Sequence, residues 1–79
     1  MNKINIGAGL KWKGKNWHTL DNAPGKYNKN QFYGKCWNSN LKSNYYNIVF
    51  SSHTLEHIPQ FRIEKTISEF NRIMKINGT

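Results

Sequence analysis

The sequence predicts an α/β unit with a parallel sheet, its strands coming first and one long helix afterwards. Three observations carry that expectation. Lys3 to Ile6 is a short, part-apolar run that stops at Gly7-Ala8-Gly9, as a strand feeding a glycine turn does. Tyr45 to Phe50 is β-branched and aromatic and ends in an unbroken Ile48-Val49-Phe50, the pattern of a strand buried on both faces of a parallel sheet. From Pro59 the period changes. Ile63, Ile67, Phe70 and Met74 recur at spacings of four, three and four, with Ile73 beside them, which marks one apolar helical face and so a core stripe.

The other elements follow in order. Lys11 to Asn16 is polar, basic and broken by Gly14, too short for a normal helix. Trp17-His18-Thr19-Leu20 alternates apolar and polar before Asp21 and reads as a second strand. Asn22 to Asn30 contains Pro24-Gly25 and is a loop. Gln31 to Trp37 is aromatic-rich and holds a short third strand, and Asn38 to Asn44 is loop again. Pro59 suits a first helical turn, where its missing N–H costs nothing, and Asn77-Gly78 is a helix stop. A parallel sheet needs cover on both faces, and one helix supplies one. Gly78-Thr79 follows the helix where an α/β unit places its next strand. The expectation is therefore a single, incomplete domain over residues 1–79, its missing cover supplied by further chain or by a partner subunit.

Composition narrows the setting. The single cysteine, Cys36, excludes an intrachain disulfide and fits a reducing compartment. No apolar run approaches the roughly 18 residues of a membrane-spanning helix, and the N-terminus lacks the apolar core of a signal peptide. A cytoplasmic protein without a membrane partner is expected. The formal charge of +8 invites a nucleic-acid partner, because basic surfaces concentrate polyanions. Arginine is confined to Arg62 and Arg72, however, while Lys, Asn and Ile abound, the skew of an AT-rich coding sequence. Recognition of phosphate and guanine favours Arg, and the lysines fall in loops, not on one helix face. Nucleic acid is accordingly not the favoured partner, and Trp12, Trp17 and Trp37 are not read as a stacking platform.

Three constellations bear on chemistry. Glycines at Gly7 and Gly9 let backbone approach a ligand, although an ordinary tight turn explains them as well. Asp21, at the end of the second strand, stands where dinucleotide folds place a ribose-binding carboxylate, although a turn aspartate beside Asn22 explains it as well. It follows Gly9 by twelve residues, against about 20 in the nicotinamide fingerprint, and a third glycine is missing, which argues against an NAD enzyme. Ser51 to His57 is a polar cluster at the carboxyl end of a strand, where open α/β sheets bind ligands. It also spells H-x-x-E-H, a zinc-hydrolase pattern that needs both histidines on one helix face and a third ligand. Pro59 follows so closely that the motif precedes the helix, and no metal ligand is assigned.

Taken together, Asn5-Ile6-Gly7-Ala8-Gly9, Trp17-His18-Thr19-Leu20-Asp21, Tyr46 to Ile58 and Arg72 to Gly78 resemble successive motifs of class I S-adenosylmethionine-dependent methyltransferases of the methyltransferase type 11 kind. The resemblance covers nearly all of this chain but only the N-terminal half of such a domain. It implies a partial Rossmann-like fold with S-adenosylmethionine as cofactor. Gly7, Ala8 and Gly9 would pass beneath its methionine part, Asp21 would hold the ribose hydroxyls, and Ser51 and Ser52 would border the methyl group. His53 is the implied catalytic base where the acceptor is a hydroxyl, since imidazole titrates near neutrality. The acceptor itself is not implied. His57 also reads as a structural cap of the strand-to-helix junction. The family's pattern is departed from at Asn5, Asn47, Lys35 and Ile76-Asn77, of which Lys35 bears on adenine binding. The competing reading is a non-catalytic basic module or remnant that touches nucleic acid.

Overall fold

In the computed structural model, which describes residues 1–52 and 54–79 and of Leu55 the backbone alone, four short strands pair side by side, all parallel. They are β1 (Lys3–Ile6), β2 (Trp17–Asp21), β3 (Gln31–Tyr33) and β4 (Ile48–Ser51), in the sheet order β3-β2-β1-β4. One α-helix, α1 (Ile63–Ile73), follows β4 among the described residues. The chain is thus a small α/β domain. No helix among the described residues is long and apolar enough to cross a membrane.

Register decides which side chains share a face, because paired residues of a parallel ladder project together and alternate along each strand. Ile4 pairs with His18 and Val49, Ile6 with Leu20 and Ser51, and Leu20 with Phe32. These line the first face. The second face carries Lys3, Asn5, Trp17, Thr19, Gln31, Ile48 and Phe50. The core lies on the first face, where Ile4, Ile6, Leu20, Tyr46 and Ile73 are buried and Phe32, Val49 and Phe70 pack against them.

Helix α1 differs from its predicted form in where it starts, where it ends and which side it buries. Pro59 precedes a 3₁₀ turn at Gln60–Arg62, and the α-helix proper begins only at Ile63. It ends at Ile73, because Met74 turns extended and the chain pairs with Tyr46: Tyr46 N–H donates to Ile73 O at 2.9 Å and Lys75 N–H to Tyr46 O at 2.8 Å. That pairing also explains why β4 is shorter than the predicted Tyr45 to Phe50. The two tyrosines meet the helix end instead of the sheet ladder. The buried positions are Thr66 and Ile73, with Phe70 half-buried, whereas Ile67 of the predicted stripe is 49% exposed. Thr66 can take an inward place because its hydroxyl donates to Arg62 O at 2.9 Å, which leaves no polar group unmet.

The third strand is likewise shorter than Gln31 to Trp37, since Lys35 and Asn38 close a tight antiparallel bridge beyond it. The β3–β4 connection, residues 34–47, is tied to α1 by one ionic knot. Glu69 Oε2 accepts from the Ser39 N–H at 2.8 Å and hydroxyl at 2.6 Å, while Arg72 grips both carboxylate oxygens, through Nε at 2.7 Å and Nη2 at 2.8 Å. Arg72 also donates to Leu41 O and the Ser43 hydroxyl. The arginine and the serine hold the Glu69 carboxyl down at about 2, against the opposing cost of burial.

Burial of β4 on both faces was expected from Ile48-Val49-Phe50 and is not found: Phe50 is 48% exposed. Right-handed crossovers place residues 7–16 and 22–30 over the second face, while Ile73 and Phe70 of α1 pack on the first. The second face therefore receives loops, seen where Gln31 Nε2 donates to Leu10 O at 3.0 Å and Trp12 meets Trp17 edge-on. These reach β2 and β3, while Phe50 on β4 stays half exposed. The accessible surface, 5672 Å², exceeds the roughly 5,000 Å² that size scaling gives a compact 9.3 kDa chain.

Candidate functional site

The connection from β1 moves to β2 on one side, whereas β4 lies on the other side of β1. The segments leaving β1 and β4 therefore diverge, and the crevice outside their carboxyl ends is where an open parallel sheet takes a ligand. The polar residues gathered there can be built up one at a time.

Gly7 turns the chain out of β1 at φ 74°, and its N–H donates to Leu20 O at 2.7 Å. A Cβ at Gly7 would collide with the Thr54 side chain, which sits over the turn and donates its hydroxyl to Ile6 O at 3.0 Å. Gly9, at φ 82°, has open space where a Cβ would be, so it serves the backbone conformation and not close packing. Its N–H donates to Asp21 Oδ2 at 2.9 Å. Asp21 Oδ1 accepts from the Asn22 and Ala23 N–H groups at 2.8 and 2.9 Å. The carboxylate thus staples the glycine turn to the end of β2. A carboxylate offers about four acceptor positions, and with three filled one remains on Oδ2.

Around Gly7 and Asp21 lies a cleft of about 180 Å³, closed by Gly34, Cys36, Trp37, Thr54 and His57. Burial pushes the Cys36 thiol up, against an opposing hydrogen bond with Thr66, so at neutral pH the protonated form is favoured and its alkylation is slow. Lys35 Nζ and the Arg62 guanidinium lie 5.7 and 5.3 Å from the Trp37 ring centre, which fixes the ring as one wall. His57 is exposed in a 3₁₀ turn (Leu55–His57), with Nε2 3.8 Å from Glu56 Oε1.

Of the residues singled out in the sequence, Gly7 and Asp21 line the cleft, and Ala8 and Gly9 form the turn beside it. Ser51 ends β4 with its hydroxyl 3.3 Å from Ile6 O, Ser52 is exposed, and neither lines the cleft. His53 lies outside the described residues. Thr54, Gly34 and Trp37 were not anticipated. Thr54 had a signal, its place in the polar cluster after β4, but its contact with Gly7 depends on β1 and β4 being neighbours. Among the described residues no group of three or more His, Cys, Asp or Glu side chains could hold a metal ion.

The departures from the resembled pattern have visible consequences. Asn47 Oδ1 accepts from Asn2 N–H at 2.8 Å, a bond an aspartate would make equally well. The Lys35 ammonium is turned onto Trp37. A larger hollow of about 490 Å³ lies on the first face, among His18, Phe32, Tyr45 and Tyr46. It sits toward the amino ends of the strands, away from the crevice, and His18 Nδ1 lies 2.9 Å from the Tyr46 hydroxyl on its wall. No protein-family model matches the chain, and no curated protein matches it.

Proposed function

We propose that this chain is the S-adenosylmethionine-binding part of a Rossmann-like methyltransferase. The observation that carries the reading is the Gly9–Asp21 staple: a carboxylate at the end of β2, bound to the glycine turn after β1, beside the point where the sheet order reverses. Dinucleotide and nucleoside sites in parallel sheets use this position for ribose hydroxyls.

The residues fit the nucleoside half of the cofactor. The remaining lone pair of Asp21 Oδ2 takes one ribose hydroxyl, and Gly34, Cys36 and Trp37 give the base an uncharged wall. The cleft of about 180 Å³ falls below the roughly 300–1,000 Å³ of drug-sized ligand sites, so the methionine half needs room now filled by Thr54 above Gly7. The bound cofactor supplies a methyl group already activated by its sulfonium. What the protein adds is alignment of the acceptor and exclusion of water, and orientation alone is worth about 7–11 kcal/mol in favourable systems. His53 remains the proposed base for a hydroxyl acceptor, and the acceptor is unassigned.

Calorimetric titration with S-adenosylhomocysteine and S-adenosylmethionine tests the reading. Saturable binding is expected, with at least tenfold weakening in Asp21→Asn. Because that change also loosens the glycine turn, Cys36 gives a second readout in the unaltered chain: its alkylation by iodoacetamide should slow when cofactor is present. A folded chain that neither binds nor protects Cys36 sinks the proposal.

A further inference from the structure

The second face of the sheet holds a row of rings that the cofactor site does not use. Trp12 meets Trp17 with ring centres 5.8 Å apart, and Trp17 meets Phe50 at 6.5 Å, both edge-on. Trp12 is 37% exposed and Phe50 48%. A hollow of about 150 Å³ opens between Trp12, Lys13, Trp17, Asn28 and Asn30. Lys3 Nζ lies 5.1 Å from the Trp17 ring centre, and Lys11, Lys13 and Lys15 are exposed on the loop that carries Trp12.

Charge says what such a face accepts. Residues 1–31 hold six lysines and one carboxylate, and that carboxylate, Asp21, is turned to backbone amides at the crevice. The other carboxylates lie elsewhere: Glu56 after β4, Glu64 and Glu69 on α1 across the sheet. A second copy of this face would bring lysine against lysine. A polyanion with flat apolar groups meets both demands, since phosphates match the lysines and unpaired bases stack on exposed rings. The loop lysines that look like compositional drift in the sequence are gathered by the fold beside the tryptophans.

We propose that the sheet face opposite α1 binds single-stranded nucleic acid through Trp12, Phe50 and the lysines Lys3, Lys11, Lys13 and Lys15. The site stands apart from the Asp21 cleft and does not depend on cofactor binding. Neither the sugar nor a base sequence is specified by ring stacking and ammonium groups, so deoxythymidine and uridine 12-mers serve equally as probes.

Fluorescence anisotropy of labelled 12-mers, read together with tryptophan emission, tests it. Micromolar binding at about 50 mM salt is expected, weakening at least tenfold by about 200 mM and quenching tryptophan. Trp12→Leu and Lys13→Gln should each weaken binding at least threefold, and Lys65→Gln, which removes the same charge from α1, should leave it within twofold. The proposal fails if no 12-mer binds at low salt, if Lys65→Gln weakens binding as much as Lys13→Gln, or if a duplex of the same length binds as tightly. Binding to phosphatidylserine vesicles in place of the 12-mers would overturn it in favour of a membrane surface. Lys13 is exposed, so its variant remains informative even should Trp12→Leu unfold.

Discussion

Under α1 the sheet presents Ile4, Ile6, Leu20 and Val49 to Ile73 and Phe70, whereas across the sheet it presents Lys3, Asn5, Thr19 and Gln31 to two loops. Both faces bury side chains, but with different chemistry. Ile4, Ile6, Leu20 and Ile73 are at most 1% exposed and gain from leaving water, whereas Asn5, Thr19 and Gln31 are buried polar groups. Gln31 shows how such groups are accommodated, its amide bonding Leu10 O and the Asn28 N–H. Net gain from a satisfied polar contact is small, while an unsatisfied one is expensive. The first face therefore supplies the stability, and the second is free to present aromatic and basic groups outward.

The largest expected effect tests that asymmetry directly. Ile73→Ala should cost about 2–5 kcal/mol, the range for emptying a core aliphatic site, and so consume much of the stability a chain of this size has. Phe50→Ala, on the half-exposed far side, should cost less than about 1 kcal/mol. Urea unfolding followed by circular dichroism gives both. Equal losses would mean that the two faces share the load.

The next effect concerns the knot that binds the β3–β4 connection to the first face. The Glu69 carboxyl lies below its ordinary 4.5, at about 2, chiefly through the Arg72 hydrogen bonds. A lowered carboxyl binds fewer protons folded than unfolded, so its contribution is complete above about pH 4.5 and disappears as pH falls toward about 2. Glu69→Gln should cost about 1.5–3 kcal/mol at neutral pH, the worth of hydrogen bonds to a charged group. It should also flatten the loss of stability between pH 4.5 and pH 2.5 that the unaltered chain shows in thermal melts. A variant with the same acid sensitivity would show that Glu69 is not the group responsible.

How much of this was legible in the sequence varies with range. The glycine turn, Asp21 and the strand after Tyr46 could be read because local pattern fixes them. The error at Ile67 was one of rotation: a hydrophobic period finds a helix, but a threonine that bonds its own i−4 carbonyl can replace an isoleucine on the inner face. β4 looked buried on both sides because a run of Ile, Val and Phe cannot say whether a neighbour will cover the second side. At the site, Asp21 and its turn beside Asn22 were visible, but its bond from the Gly9 N–H was not, for that one arises from the path of the turn after β1. Thr54 over Gly7 and Trp12 against Trp17 are contacts between segments whose adjacency only the sheet order and the crossovers establish.

The smallest expected effect comes from a titratable pair within the apolar side. His18 projects from β2 among Phe32, Tyr45 and Tyr46, with ring centres 5.1, 6.4 and 5.7 Å away, and its Nδ1 is 2.9 Å from the Tyr46 hydroxyl. Desolvation lowers the imidazole below 6.5 and raises the Tyr46 phenol to about 12, so at neutral pH both are uncharged. A base with a lowered value takes up its proton more readily when unfolded. The pair's contribution is thus whole above pH 6.5 and declines as pH falls below it. This window lies above that of Glu69, which lets one melting series against pH separate the two. Between pH 7.5 and pH 5.5 the unaltered chain should lose a little stability, less than Glu69→Gln costs, and His18→Gln should remove that slope while leaving the acid step intact. A slope that survives in His18→Gln would assign it to another group and leave the first face without a titrating member near neutrality.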